Sequence, residues 1–288
     1  MLHSGSSRSR LHIRALGLAL VAVALFTGLA AWFVQGVVSS PGGPAWPHTN
    51  TLRVGFAIEA PYAFIDAQGR VTGESPEIFR HVAQRVGIQH IDWVRLDFAN
   101  LLPELQLGRI DAIAAGMFIT PERQRLAAFT RPTATVRTAL VLRRGETALP
   151  PQPRQSDLRH STGIRWGTVH AAAENALLIE AGVPADRITS VPTAFRGLLA
   201  VAESSVDVFA ISTVTGWYLA SRHPQWHLEV RTLGDAPAGQ PALVFRREDV
   251  KLRDAVDEAL ADFLGTDEHR ALVQGFGFTS EEINNGRL

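Results

Sequence analysis

The 288-residue sequence contains no cysteine, which excludes a disulfide framework, a thiolate metal site and a cysteine nucleophile. It contains a single lysine, Lys251, and arginine carries nearly all of its positive charge. Neither sign of charge is in excess, since 28 basic residues balance 28 acidic ones. A nucleic-acid partner, which would call for a basic surplus, is therefore not indicated.

Sequence motifs of the common catalytic and metal sites are also missing. No G-x-S-x-G, Walker, Rossmann-glycine or H-E-x-x-H pattern occurs. His223 and His227 have the spacing of a helical metal pair, but Pro224 lies between them and disfavours a helix there. We therefore predict neither a metal site nor a cofactor.

Residues 1–40 combine a basic start with a long apolar run. Three arginines precede residues 15–34, in which Thr27 is the only polar side chain. This pattern is typical of a secretory signal peptide, and a run of about 20 apolar residues also suffices to span a bilayer. Two interpretations stay open, a signal peptide cleaved after Ala30 and a retained membrane tether. In both, residues 41–50 form a linker, and the body is periplasmic or lies at the outer face of the cytoplasmic membrane.

Beyond the linker, strand-like and helix-like runs alternate in two successive blocks. Strands are predicted at residues 52–58, 90–96 and 110–115, and again at 163–166, 188–191 and 206–211. Helices are predicted between them, one of them capped by Ser75 and another at residues 171–181. This alternation predicts mostly parallel sheets covered by helices.

Two extended runs, residues 135–143 and 241–246, lie between and after the blocks and predict a hinge. We therefore expect an α/β fold of two lobes joined by two crossover strands. Lobe one is assigned to residues 51–138 and 239–288, and lobe two to residues 139–238.

Polar and aromatic residues follow the three strands of the first block. Glu59 and Tyr62 come after the first strand, Phe98 after the second, and Phe118 and Arg123 after the third. Because the carboxyl ends of parallel strands meet at one edge of a sheet, we expect these loops to lie together. Aromatic rings and a glutamate suit a diffuse cation, and arginine suits a carboxylate. The set favours a small zwitterionic solute, although each residue taken singly is also typical of packing or of a solvated loop.

Several segments resemble family 3 extracellular solute-binding proteins, the substrate receptors of polar amino-acid ABC importers. The resemblance runs from about residue 50 to the C-terminus. It is carried by residues 52–55, 61–62, 72–73, 108–113 (GRIDAI), 116–123 (GMFITPER) and 275–278 (GFGF). It implies a two-lobe periplasmic-binding-protein-like fold, a ligand held between the lobes, and an importer permease and ATPase as partners. Arg123 matches the arginine that binds the ligand α-carboxylate in this family.

Two departures from the family point to an unusual ligand. Phe118 stands where most members carry Ser or Thr, and Ser212 stands where amino-acid binders carry an aspartate for the α-ammonium group. The loop residues described above, together with residues 73–77 (GESPE), resemble the ectoine and hydroxyectoine branch. Ectoine is a cyclic amidinium carboxylate, and its delocalised charge suits an aromatic box with one glutamate.

The contacts expected from the second lobe are Gly167, Thr168, Val169 and Ser212. The first three resemble the Gly–Thr segment whose amides and hydroxyl meet the ligand carboxylate in this family, although His170 departs from the usual residue there. An ordinary strand–helix turn capped by Thr168 is the alternative interpretation.

The leading hypothesis is a binding protein that is not an enzyme and that serves the import of a compatible solute, ectoine or hydroxyectoine before others, or of an amino acid. Two other functions stay open. Periplasmic cyclohexadienyl dehydratases resemble this family and use a glutamate acid from lobe two, for which Glu174 is the nearest candidate. A membrane-tethered sensory module is the third hypothesis, because residues 15–34 could serve as its anchor.

Overall fold

The computed structural model describes residues 51–161 and 163–284. The predicted signal or anchor segment and the linker, residues 1–50, lie outside the described residues. Within the described part of the chain, no helix combines the length and the apolar character needed to cross a membrane.

The first lobe is built on a five-stranded sheet. Its strands are β1 (Thr51–Phe56), β4 (His90–Arg95), β5 (Ala112–Phe118), β6 (Ala128–Phe129) and β12 (Pro241–Phe245), and a separate hairpin joins β2 (Phe64–Ile65) to β3 (Val71–Thr72). The order in the sheet is β4-β1-β5-β12-β6. Strand β1 is parallel to β4 and β5, so the loops that follow these three strands meet at one edge.

The second lobe contains the other five-stranded sheet. Its strands are β7 (Thr138–Arg143), β8 (Trp166–Val169), β9 (Ile188–Val191), β10 (Val208–Ser212) and β11 (Leu228–Thr232), in the order β11-β7-β10-β8-β9. Strand β8 is parallel to both of its neighbours, whereas β7 is antiparallel to β10 and β11. The predicted α/β fold with two lobes is thus confirmed.

Helices cover both sheets. They are α1 (Glu74–Arg85), α2 (Leu101–Gln106), α3 (Pro121–Leu126), α4 (Gln155–Leu158), α5 (Ala173–Glu180), α6 (Ala194–Ala202), α7 (Thr213–Arg222), α8 (Val250–Phe263), α9 (Asp267–Gln274) and α10 (Ser280–Asn284). Helix α1 illustrates the pattern, because Ile78, Phe79 and Val82 form an apolar face that is fully buried. Helices α8 and α9 pack against this lobe-one core, so the C-terminal part of the chain returns to the first lobe.

The two crossover segments also pair with each other. Val136 donates a backbone hydrogen bond to the carbonyl oxygen of Gly239 at 2.8 Å, and Gly239 donates one to Val136 at 2.7 Å. This bridge ties together the two segments that lead from one lobe to the other. The residue boundaries assigned to the lobes stay a prediction.

The local prediction was wrong at the start of the second lobe. The strand expected at residues 163–166 lies three residues later, as β8, and the helix expected from residue 171 begins at Ala173. Gly163 cannot begin the strand because its φ of 91° places it in a turn. The shift moves the loop that follows the strand, and with it the lobe-two wall of the site.

Ser75 does not cap α1 as predicted. Gly73 occupies the N-cap position, and the Ser75 hydroxyl instead accepts a hydrogen bond from the Gly116 N–H at 2.9 Å. The same hydroxyl donates to the carboxyl group of Glu74 at 2.5 Å. Ser75 therefore ties the start of α1 to the end of the sheet where the predicted ligand loops lie.

Candidate functional site

A small cavity of about 30 Å³ is lined by residues of both lobes. The first lobe contributes Glu59, Tyr62, Phe98, Gly116, Phe118 and Arg123, and the second contributes Val169, Ala172, Ala173, Glu174, Ile211, Ser212 and Thr215. Every ligand-binding residue predicted in the first lobe is therefore at the cavity wall, as are Val169 and Ser212.

Gly167 and Thr168 do not line the cavity. They lie inside β8, which is hydrogen-bonded to a strand on each side, and the Thr168 side chain is completely buried. A Cβ atom on Gly167 would lie 2.7 Å from the ring of Phe209, so this glycine serves packing within lobe two. The structure places Ala172 and Ala173, a few residues later, at the wall where the predicted Gly–Thr contact was expected.

Arg123 is held in place by the start of α3. Pro121 occupies the first turn, and the Thr120 hydroxyl accepts a hydrogen bond from the Arg123 N–H at 3.3 Å, which caps the helix. The Arg123 guanidinium donates through Nη1 to the carbonyl oxygen of Phe118 at 2.7 Å and through Nη2 to that of Ala171 at 2.9 Å. Arg123 thus contacts the second lobe as well as its own.

The aromatic residues form two groups. The Tyr62 ring packs edge to face with Phe118 and with Phe278. The ring centroids are 6.2 Å and 5.5 Å apart, respectively. Phe98 instead lies beneath the Arg123 guanidinium, whose central carbon is 5.6 Å from the ring centroid. Part of the aromatic surface predicted for a ligand cation therefore already faces the cation of the protein itself.

Glu59 is the buried carboxyl group that the first lobe contributes to the cavity. Its side chain is only 7% exposed, Oε2 accepts a 3.4 Å hydrogen bond from the Ala194 N–H at the start of α6, and Oε1 is buried without a partner. Burial raises the pKa of Glu59 to about 8; the Ala194 N–H opposes this shift, and the nearby Glu174 adds to it. At neutral pH this carboxyl group is mostly protonated, and its free oxygen is available to a ligand.

Glu174 is a cavity residue that the prediction of ligand contacts missed. It lies in the first turn of α5 and is 5% exposed. Burial raises the pKa of its carboxyl group, and the positive charge of Arg123 partly offsets the shift. In the sequence Glu174 lies six residues beyond Thr168, which argued against a role at the predicted Gly–Thr contact. The correct end of β8 at Val169 leaves only a short loop before it.

Ser212 lines the cavity but is occupied as a helix cap. Its hydroxyl oxygen accepts from the Thr215 N–H at 3.2 Å, and the hydroxyl donates to Thr215 Oγ1 at 3.1 Å. Beside it, the hydroxyl of Tyr62 is buried, and burial raises the pKa of this phenol well above its usual value, although Ser212 opposes the shift. This part of the wall is uncharged, as the replacement of the family's aspartate by serine predicts.

A metal site has no candidate in the described part of the chain. Across residues 51–161 and 163–284, no group of three or more His, Asp or Glu side chains is arranged to hold a metal ion.

Comparison with protein families gives one match that spans most of the described chain. The sequence model of the bacterial extracellular solute-binding proteins, family 3, matches residues 52–279. A probable amino-acid ABC transporter periplasmic-binding protein, y4tE of Sinorhizobium fredii (strain NBRC 101917 / NGR234), is 29% identical over 244 residues. That alignment covers 81% of this chain and 78% of the relative. An L-arginine-binding protein of Pseudomonas aeruginosa is 28% identical over 159 residues, which are 54% of this chain and 60% of the relative.

Solved structures give the same architecture. The crystal structure of EhuB in complex with hydroxyectoine matches with a TM-score of 0.74 and 29% identity, covering 80% of this chain and 89% of that chain. An ancestral amino acid-binding protein, AncCDT-1, described as a precursor of cyclohexadienyl dehydratase, matches with a TM-score of 0.69 and 20% identity. It covers 79% of this chain and 95% of that chain, and at this identity the likeness is one of fold alone.

Proposed function

Because the chain belongs to the bacterial extracellular solute-binding proteins of family 3, we propose that it captures ectoine or hydroxyectoine between its lobes for import. Proteins of this family bind small amino-acid-like ligands and work with the permease and ATPase of an ABC transporter. The solute is taken up in the periplasm or at the outer face of the cytoplasmic membrane and handed to these partners.

The observation that carries the proposal is the pairing of one guanidinium group with buried carboxyl groups and aromatic rings in a single cavity. Arg123 supplies donors for a carboxylate, since guanidinium has five N–H groups and only two are used by carbonyl oxygens. Glu59 supplies an unpartnered oxygen for the N–H group of a cation. A ligand that carries both a carboxylate and a cation satisfies the two groups together.

The same wall disfavours an ordinary α-amino acid. A compact ammonium group needs a fixed carboxylate, and at the family's usual position the chain has Ser212, whose hydroxyl caps α7. An amidinium spreads its charge over two nitrogen atoms and the carbon between them, and this flat group suits the face of an aromatic ring such as Tyr62 or Phe118 in the cavity wall. The hydroxyectoine complex of the 29% identical EhuB supports this choice of ligand.

The test is isothermal titration of the purified protein with ectoine, hydroxyectoine, L-arginine and L-glutamine. We expect the two ectoines to bind at least about a hundredfold more tightly than either amino acid, since losing a charged partner costs a few kcal/mol. A second test is the variant Phe118→Ser, which introduces a side chain common in the family. It should weaken the binding of ectoine and hydroxyectoine by roughly 1–2 kcal/mol. Tight binding of an amino acid with no binding of the ectoines would overturn the proposal.

Glu174 favours a second candidate function, a cyclohexadienyl dehydratase-like enzyme. Its carboxyl group lines the cavity from lobe two, and burial raises its pKa, which favours the protonated form that a general acid requires. Such an enzyme would convert prephenate to phenylpyruvate with loss of water and carbon dioxide. Absence of phenylpyruvate formation, measured by absorbance with purified protein at micromolar concentration, would remove this candidate. Turnover that Glu174→Gln abolishes would establish it.

A further inference from the structure

Gly239 lies in the second crossover segment, in the backbone bridge with Val136. Its φ is not in the left-handed region, so the backbone at this position does not itself call for glycine. The reason for a glycine must therefore be the space around it.

The space is filled by Phe118. A Cβ atom added to Gly239 would lie 2.4 Å from Cε2 of the Phe118 ring, 2.7 Å from Cδ2 and 2.9 Å from Cζ. These distances are far below van der Waals contact, so any side chain at position 239 must move the ring or the crossover. The crossover is fixed by its two hydrogen bonds with Val136, which leaves the ring as the part that yields.

Phe118 cannot move without disturbing the rest of the site. Its ring packs edge to face with Tyr62, and its carbonyl oxygen accepts the 2.7 Å hydrogen bond from Arg123. The ring lines the ligand cavity, so displacement away from position 239 changes the shape of the space left for a ligand.

We propose that Gly239 is a positioning residue that determines ligand specificity, because its missing side chain leaves the place that Phe118 occupies. The bulky ring at position 118 and the bare backbone at position 239 form a large–small pair. The glycine in the crossover segment thus fixes the position of the Phe118 ring, which forms one aromatic wall of the cavity. The identity of the ligand in this inference rests on the proposed function, whereas the packing of the pair does not.

The test is a double-mutant cycle of Gly239→Ala and Phe118→Ala, read by titration with ectoine and by thermal unfolding. Gly239→Ala should weaken ectoine binding by about tenfold or more in the Phe118 protein, since overpacking a fixed site commonly costs 1–3 kcal/mol. In the Phe118→Ala protein the same substitution should change affinity by less than about threefold, because the clash is gone. The melting temperature should follow the same pattern, with Gly239→Ala lowering it only when Phe118 is present.

The matched control is Gly234→Ala in the same connecting segment. A Cβ atom on this exposed glycine would meet only the Pro153 carbonyl oxygen, at an ordinary 3.6 Å. This variant should bind and melt like the wild type. Equal effects of Gly239→Ala with and without Phe118, or an effect equal to that of Gly234→Ala, would overturn the inference. If the wild type binds neither ectoine nor hydroxyectoine, the proposed function fails, and the melting cycle alone decides whether the pair exists.

Discussion

Arg123 in the first lobe donates a hydrogen bond from Nη2 to the carbonyl oxygen of Ala171 in the second lobe, over 2.9 Å. Ala171 has a left-handed backbone with a φ of 60°, in the short loop between β8 and α5. The same guanidinium holds the Phe118 carbonyl oxygen through Nη1. Arg123 therefore links the two lobes and also lines the cavity. Besides its predicted role of binding a ligand carboxylate, it holds part of the second-lobe loop in place.

Substitution of Arg123 should show whether its guanidinium binds the carboxylate of the ligand. We expect Arg123→Ala to weaken binding by on the order of 2–5 kcal/mol, because a ligand carboxylate is left desolvated without its partner. Arg123→Lys should lose much of the same energy, since an ammonium group cannot bridge several acceptors in a plane. Titration calorimetry measures both. The control is Arg125→Lys, at an exposed arginine of the same helix. Wild-type affinity in Arg123→Lys would mean that the clamp is absent.

Ligand affinity should rise with pH as Glu59 loses its proton. The pKa of Glu59 is about 8 in the empty cavity, raised by burial, opposed by the Ala194 N–H and increased further by Glu174. A bound cation favours the ionised carboxylate, so below pH 8 binding must release the proton held there. We therefore expect affinity to increase by about tenfold per pH unit from pH 6 to 7 and to level off above pH 8.

The measurement is titration calorimetry across this pH range in two buffers of different ionisation enthalpy, which counts the protons released. Glu59→Gln is the matched control, because it keeps the shape of the side chain but cannot ionise. It should bind more weakly at pH 8 and show a flat profile. A flat profile in the wild type would show that Glu59 does not meet the cation.

The first-lobe wall could be predicted because it follows from two simple regularities. Strands β1, β4 and β5 each end at the same sheet edge, so Glu59 and Phe118 line the same cavity although they are far apart in sequence. The sequence Thr120–Pro121 also indicates the start of a helix, and this start orients Arg123.

The second-lobe wall was predicted only at Val169 and Ser212, because much of the rest depends on where one short strand begins. Strand β8 is set by its pairing with β9, from Trp166 opposite Ile188 onward, and no local residue pattern marks that pairing. With β8 at Trp166–Val169, Thr168 lies inside the strand, although its resemblance to the family's Gly–Thr segment predicted a ligand contact. The cation–π contact between Arg123 and Phe98 was missed for a related reason, since it depends on tertiary packing of two loops.

Protein stability should fall below neutral pH because of His269. The pKa of this imidazole is lowered from 6.5 to about 4, mainly by burial and also by the nearby Arg270 and His81; Nδ1 accepts from the Gly265 N–H. A folded-state pKa below the unfolded value means that the neutral ring stabilises the fold above pH 6.5, and that this contribution is lost as the pH falls toward 4.

We expect His269 to account for a loss of about 2 kcal/mol in the free energy of unfolding between pH 7 and pH 5. Urea denaturation at the two pH values measures it. His269→Asn retains an acceptor for Gly265 but does not titrate, so its loss over the same interval should be smaller. An equal loss in both proteins would place the acid sensitivity elsewhere.

Closure of the lobes on the ligand should be visible in solution. Contacts between the lobes already include the Glu59 bond to Ala194 and the packing of Phe64 against Tyr218, whose ring centroids are 6.1 Å apart. Hinge closure around ligands is the general behaviour of periplasmic binding proteins. A ligand shifts this equilibrium only as far as it binds the closed form more tightly than the open one.

Because the cavity is walled by both lobes, we expect small-angle scattering to show a smaller radius of gyration with saturating ectoine than without it. Arg123→Ala at the same ectoine concentration serves as the control and should keep the larger radius. Tight binding by the wild type with an unchanged radius would mean that the ligand does not draw the lobes together.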